Sequence, residues 1–197
     1  LIFMNGKLAL ASGNPELAKG EFTKLLSNAD YGKKALSLLA KAQLMGGNAD
    51  LALATLAKST ALDDIGYAAT VGAKMAKGDS EGAIAALDAG LAAFPESLDL
   101  RILDGSRALA SGDFAKAEAV ADKLLQSAPN DPDALLYAGR VAFSQKKFAV
   151  AETRFNAILK SQPGHQSALL SLSAMARDKG DLKAAAATLN QAQKNNP

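Results

Sequence analysis

Cysteine is missing from this chain of 197 residues, so neither a disulfide framework nor a thiolate metal site can be built. Histidine is nearly missing too, since His165 is the only one. Without a second imidazole, a His-based metal site lacks ligands and a Ser-His-Asp or Cys-His arrangement has no base to draw on. His165 itself falls in the turn SQPGHQ, where a solvated loop histidine is expected rather than a general base. No GxxxxGK[ST] phosphate loop occurs, and the adjacent carboxylates Asp63 and Asp64 are explained by helix initiation. The chain is therefore expected to be non-catalytic, with no cofactor and no metal.

Aromatic residues make up 5% of the chain and the net charge is +2, spread without a basic block. A phosphate-backbone footprint needs clustered cations, and a single-strand platform needs interleaved aromatics, so no nucleic acid partner is expected. Long apolar runs are lacking as well. The run that opens the chain, LIFM, is broken at once by Asn5, Gly6 and Lys7. It is too short for a membrane span and poorly shaped for a signal sequence, and it reads as a buried first helix.

What the chain does have is a period. Pro95, Pro129, Pro163 and Pro197 stand 34 residues apart, and a second ladder runs in phase with them. The segments GNPELA from Gly13, GNADLA from Gly47, GDSEGA from Gly78, GDFAKA from Gly112, KKFAVA from Lys146 and GDLKAA from Gly180 align without gaps, at intervals of 34, 31, 34, 34 and 34 residues. A glycine that tolerates positive φ, followed by an Asp or Asn that caps free N–H groups, is a turn into a helix. Proline, which cannot continue a helix, marks the other kind of turn, between one hairpin and the next. Each unit is thus helix, short turn, helix, short turn. Small residues followed four positions later by a large one, as in Ala151 and Phe155, Ala83 and Leu87, and Ala185 and Leu189, let paired helices approach closely and fill the wedge between hairpins. Between Gly47 and Gly78 three residues are missing, no proline is present, and STALDDIGYAATVG carries two glycines where a helix should begin. This predicts a shortened second helix in the second unit, with either a kink in the array or ordinary drift in a tolerant loop as its meaning.

The fifth unit carries Leu135, Ala138, Gly139, Ala142, Ala151, Phe155, Ile158 and Pro163, and the first carries Gly6, Ala9, Ala18 and Phe22 at the same offsets. These residues resemble the pattern W-x2-L-G-x2-Y, A-x3-F, P of the tetratricopeptide repeat family. The resemblance implies an all-α fold, a right-handed superhelix (α-solenoid) of six TPR-like helix-turn-helix repeats over residues 1–197. The repeats are expected at approximately 1–32, 33–63, 64–97, 98–131, 132–165 and 166–197. Because the chain begins inside a repeat and stops on Pro197, it is expected to be a piece of a longer array, or to associate end to end through its outermost faces.

In this family the first helix of each hairpin lines the inner side of the array. The resemblance therefore implies a groove whose residues include Phe3, Lys7, Lys41, Met75, Ser106, Tyr137, Arg140, Phe143, Leu170 and Arg177. Chaperone-binding members hold a terminal carboxylate with a Lys, Asn, Asn, Lys, Arg set, but the corresponding places here carry Phe3, Lys7, Leu38, Ile65 and Ala69, so that clamp is absent. What is left is a mostly apolar groove with Lys41, Arg140 and Arg177 as isolated cations, suited to a protein or peptide segment. Tyr137, Arg140 and Phe143 share one stripe of a helix and are of types that dominate interface energies. Tyr137 is expected to be exposed, while Phe143 divides between core and groove. The function implied is a non-catalytic scaffold that binds a protein partner in this groove. The alternative is a spacer in a bacterial envelope assembly, because the Ala/Leu-rich, weakly charged units are similar in composition to repeat lipoproteins and scaffolds of exopolysaccharide export. On that reading a periplasmic or envelope location is favoured over a cytoplasmic one.

Overall fold

The computed structural model describes residues 1–194, and Pro197, the last of the turn prolines, lies outside them. The described residues form twelve α-helices and no strand: α1 (Ile2–Ala11), α2 (Pro15–Thr23), α3 (Gly32–Met45), α4 (Ala49–Leu56), α5 (Asp64–Ala76), α6 (Ser80–Ala93), α7 (Leu98–Ala110), α8 (Phe114–Ser127), α9 (Pro132–Ser144), α10 (Phe148–Ser161), α11 (Gln166–Asp178) and α12 (Leu182–Lys194). They pair in sequence as the helical hairpins of an α-solenoid. Contacts group them into two compact units, Leu1–Leu103 and Asp104–Pro197.

The turn inside each hairpin is built the same way every time. Five of the six turns have a glycine at φ between +71° and +82°, and the sixth has Lys146 at +58°. The next residue caps the second helix: Asn14 accepts from the Leu17 N–H at 3.1 Å, Asp113 from Lys116 at 3.0 Å, and Asp181 from Ala184 at 2.9 Å. In the fifth hairpin Lys147 stands in that place and makes no side-chain cap. Lysine at positive φ crowds its Cβ against the backbone. Lys146→Gly is therefore expected to stabilise the chain by about 0.5–1 kcal/mol net of the extra freedom glycine gains when unfolded. Urea denaturation followed by circular dichroism reads this directly, and a midpoint that does not rise would show that Lys146 carries no strain.

Three of the turns between hairpins, those after α6, α8 and α10, are set by proline. Phe94, Ala128 and Gln162 end α6, α8 and α10 at φ of −134°, −143° and −134°, with ψ of 68°, 70° and 80°. Each precedes a proline, whose ring pushes the preceding residue out of the helical region. No proline follows the second helix of the first two hairpins, and both helices are short: α4, at the 31-residue interval, has 8 residues as expected and α2, at a full interval, has 9, against 14 in α6, α8 and α10. The two glycines that follow do not interrupt the chain there. Gly66 and Gly72 lie inside α5, which Asp63 caps, and a Cβ on Gly72 would stand 2.7 Å from Leu44 of α3. Their role is to let α5 lie close on α3.

In the unit 1–103, Phe22 of α2 is wholly buried against α1, where Gly6 leaves room for its ring, and Phe3 meets it edge-on at 6.1 Å. Ala52 and Leu56, then Ala83 and Leu87, repeat the small-then-large packing. In the unit 104–197, Ala151, Phe155 and Met175 form the corresponding cluster, with Phe155 seated against Gly139. The last such pair departs from expectation: Ala185 is buried but Leu189 is exposed, because no further hairpin covers it among the described residues. Polar bonds recur between successive hairpins at the end of a first helix. Lys77 pairs with Asp50, Gln145 with Glu118, and Lys179 with Glu152 at 3.1 Å while also lying over the Phe148 ring.

Candidate functional site

The stripe Tyr137, Arg140 and Phe143 is brought together as expected, on α9, and faces α7 across a recess of about 340 Å³ lined also by Ser106, Leu109, Ala110 and Ser144. The three side chains do different things there. Tyr137 is buried, not exposed as the sequence suggested, and its hydroxyl donates to the Ala117 carbonyl at 3.1 Å. The ring reaches inward because Gly105 on α7 has no side chain to stop it. The hydroxyl thus finds its partner inside the protein instead of in water. Burial, helped by the nearby Asp104 charge, pushes the Tyr137 phenol up to about 12. Tyr137 is the floor of the recess.

Phe143 is half-buried and serves both expected roles, packing on the Ala142, Ala151, Phe155 and Met175 cluster while lining the recess. Arg140 is exposed on the rim and takes part in no ion pair among the described residues. An uncommitted guanidinium next to a half-exposed ring and the Leu109 side chain can hold an apolar group and a carboxylate side by side. Leu109 was missed by the sequence reading; the signal was its place three residues after Ser106, on the same stripe of α7.

The remaining expected residues lie elsewhere. Lys41 is not isolated: its ammonium stands 3.6 Å from Asp99 within the first unit. Arg177 is exposed and unpaired among the described residues, and lines a second recess with Leu170, Ala185 and Leu189. A third recess is lined by Glu118, Asp122, Gln145, Lys147 and Arg154; Glu118 holds Lys147 at 2.7 Å and Arg154 donates to the Ala138 carbonyl at 2.7 Å, so these three charges are already engaged. His165 lies in the loop before α11, as expected, and is half-buried there. Its Nδ1 caps α11, accepting from the Ala168 N–H at 3.3 Å. Among the described residues no cluster of His, Asp or Glu is placed to hold a metal, and no helix is long and apolar enough to cross a membrane.

Comparison with solved structures places the chain beside other helical repeat proteins. A tetratricopeptide repeat protein from Parabacteroides merdae aligns over all of this chain and 79% of its own, at 14% identity and a TM-score of 0.64. PilF from Pseudomonas aeruginosa aligns over all of this chain and 90% of its own, at 20% identity and a TM-score of 0.60. Human IFIT1, solved as a dimer with PPP-AAAA, aligns over 92% of this chain but 46% of its own, at 17% identity and a TM-score of 0.72. At such identities the likeness is one of fold. A comparison with curated protein sequences finds no match. One family model described as tetratricopeptide repeat matches residues 3–64 and 73–132, and a second of the same description matches 108–176. With more than half of its length matched and its helices paired as the period requires, the chain belongs to the tetratricopeptide repeat family.

Proposed function

We propose that the protein is a binding module that holds a segment of a protein partner against the α7–α9 recess. Repeats of this family generally mediate contacts between proteins, and the observation that carries the reading to this place is the recess itself. It is an apolar depression floored by a locked tyrosine and rimmed by a guanidinium with no internal partner. An apolar side chain of the partner fits between Leu109 and Phe143, and a neighbouring carboxylate of the partner falls to Arg140. The IFIT1 relative was solved with PPP-AAAA. In this chain the net charge of +2 and the single uncommitted cation at the recess favour a peptide over a polyanion.

Selection of a displayed random-peptide library on the wild-type chain, followed by titration of the enriched peptides, tests this. Arg140→Glu and Ser106→Arg both change exposed positions, so the fold is expected to be kept. Each should weaken the selected peptides at least tenfold, about 1.4 kcal/mol, with an unchanged melting curve. Peptides that bind both variants as they bind wild type would move the interaction off the recess. The second reading, a spacer in a bacterial envelope or exopolysaccharide-export assembly, draws its support from the Ala/Leu-rich, weakly charged composition of the repeats.

A further inference from the structure

Ion pairs between hairpins in this chain join neighbours: Lys77 meets Asp50, Lys147 meets Glu118, and Lys179 meets Glu152. The pair of Lys41 and Asp99 skips one. Lys41 belongs to α3 in the second hairpin and Asp99 to α7 in the fourth, yet the ammonium stands 3.6 Å from the carboxylate, with α5 of the third hairpin between the two helices. The second helices α4 and α6 pack on α5 from one side. The pair therefore runs across the opposite side, where the Lys41 and Asp99 side chains keep exposures of 45% and 39%.

Packed helices ordinarily lie about 8–10 Å apart, so two steps in a straight line exceed what an extended lysine and an aspartate span together. Three glycines shorten the steps. A Cβ on Gly66 would stand 2.9 Å from the Ser37 hydroxyl oxygen and one on Gly72 2.7 Å from Leu44, so α5 lies close on α3. On its other side, a Cβ on Gly90 of α6 would stand 2.9 Å from Tyr67 of α5 and 3.1 Å from Leu100 of α7, which share the room that the bare backbone leaves. The Ser97 hydroxyl, directly before α7, donates to Asp64 of α5 at 2.9 Å. Within the unit 1–103 the helices α3, α5 and α7 thus form an arc, and the ion pair is strung across its inside.

We propose that Lys41 and Asp99 are a strap that holds this arc closed, and that parting them lets α3 and α7 spread about α5. A half-exposed pair gains little in water and is screened by salt, so it yields to ionic strength or to a competing charge without unfolding the chain. The close packing at Gly66, Gly72 and Gly90 lies beneath the strap and is kept in both states. The device belongs to the first unit and does not depend on the α7–α9 recess.

Because the chain has no cysteine, Lys34→Cys on α3 and Glu96→Cys before α7, both at exposed positions, place two spin labels uniquely, and pulsed electron paramagnetic resonance reads the distance between them. Added to this labelled chain, Lys41→Glu alone and Asp99→Lys alone should each lengthen and broaden the distance distribution, with an unchanged circular dichroism spectrum. The two together rebuild the pair with its charges exchanged and should return the distribution to its starting form. Salt at about 1 M, where charges act over only about 3 Å, should lengthen the distance in the chain that keeps Lys41 and Asp99. Single variants that match the starting distribution, or a distance indifferent to salt, would show that the pair spans α5 without holding anything. A double variant as open as the single ones would trace the opening to something other than the pair. Each of these results overturns the strap.

Discussion

Replacing Phe155 by alanine is expected to cost about 3–5 kcal/mol, the range for deleting a buried aromatic ring. The ring is wholly buried, and its neighbour across the hairpin is Gly139, which has no side chain to relax into the void. Ala151 and Met175 are held by their own helices and close the gap only in part. Each hairpin of an array leans only on its neighbours, so the loss should also broaden the transition by uncoupling α9 and α10 from α11 and α12. Thermal unfolding followed by circular dichroism reads both effects. An unchanged midpoint and width would mean that this ring does not hold the fifth and sixth hairpins together.

Tyr137→Ala is expected to be about as damaging, roughly 3–5 kcal/mol, because it empties a buried site and removes the bond to the Ala117 carbonyl. Tyr137→Phe keeps the ring and should cost only about 1 kcal/mol. The phenol adds a pH signature. The folded state keeps its proton up to about 12, against an ordinary value of 10.0, first because it is buried and second because Asp104 repels the phenolate. An unfolded chain ionises first as pH rises. The stability this group contributes is therefore fully present below pH 10 and is lost between pH 10 and 12. Denaturation midpoints of wild type and Tyr137→Phe should converge across that interval. Parallel pH profiles would show that the hydroxyl is solvated after all.

Local signals carried most of the fold. A turn glycine, the acid or amide after it and the proline 17 residues beyond Gly78, Gly112 and, for Lys146, in the same place are written within one hairpin, and each dictates its own stretch of backbone. The three-residue deletion likewise announced the short α4, whereas the equally short α2, at a full interval, had no such signal. What was not legible were matters decided by residues distant in the chain. Whether Tyr137 points out or in depends on Gly105, a whole repeat away, which leaves a hole only a ring of that length can fill. Lys41 looked isolated because Asp99, its partner, belongs to a different hairpin. His165 keeps its expected place in the turn, and only its capping bond from the Ala168 N–H went unread. The stripe on α9 was visible in spacing, and Ser106 on the α7 wall of its recess was among the expected groove residues, but Leu109 and Ala110 beside it were not.

The short interval has a bearing on how such an array changes length. Lys77 and Lys179 both end a first helix directly before a turn glycine, and both reach an acid 27 residues earlier on the preceding helix. In the full-length interval that acid, Glu152, lies six places after the turn residue Lys146; in the shortened one Asp50 lies three places after Gly47. Three residues is close to one turn of helix, so the excision slides the pairing by a single step of the screw and brings a carboxylate back to nearly the same azimuth. Length here behaves as a quantity counted in whole turns, and drift by one or two residues would instead rotate every later side chain away from its partner.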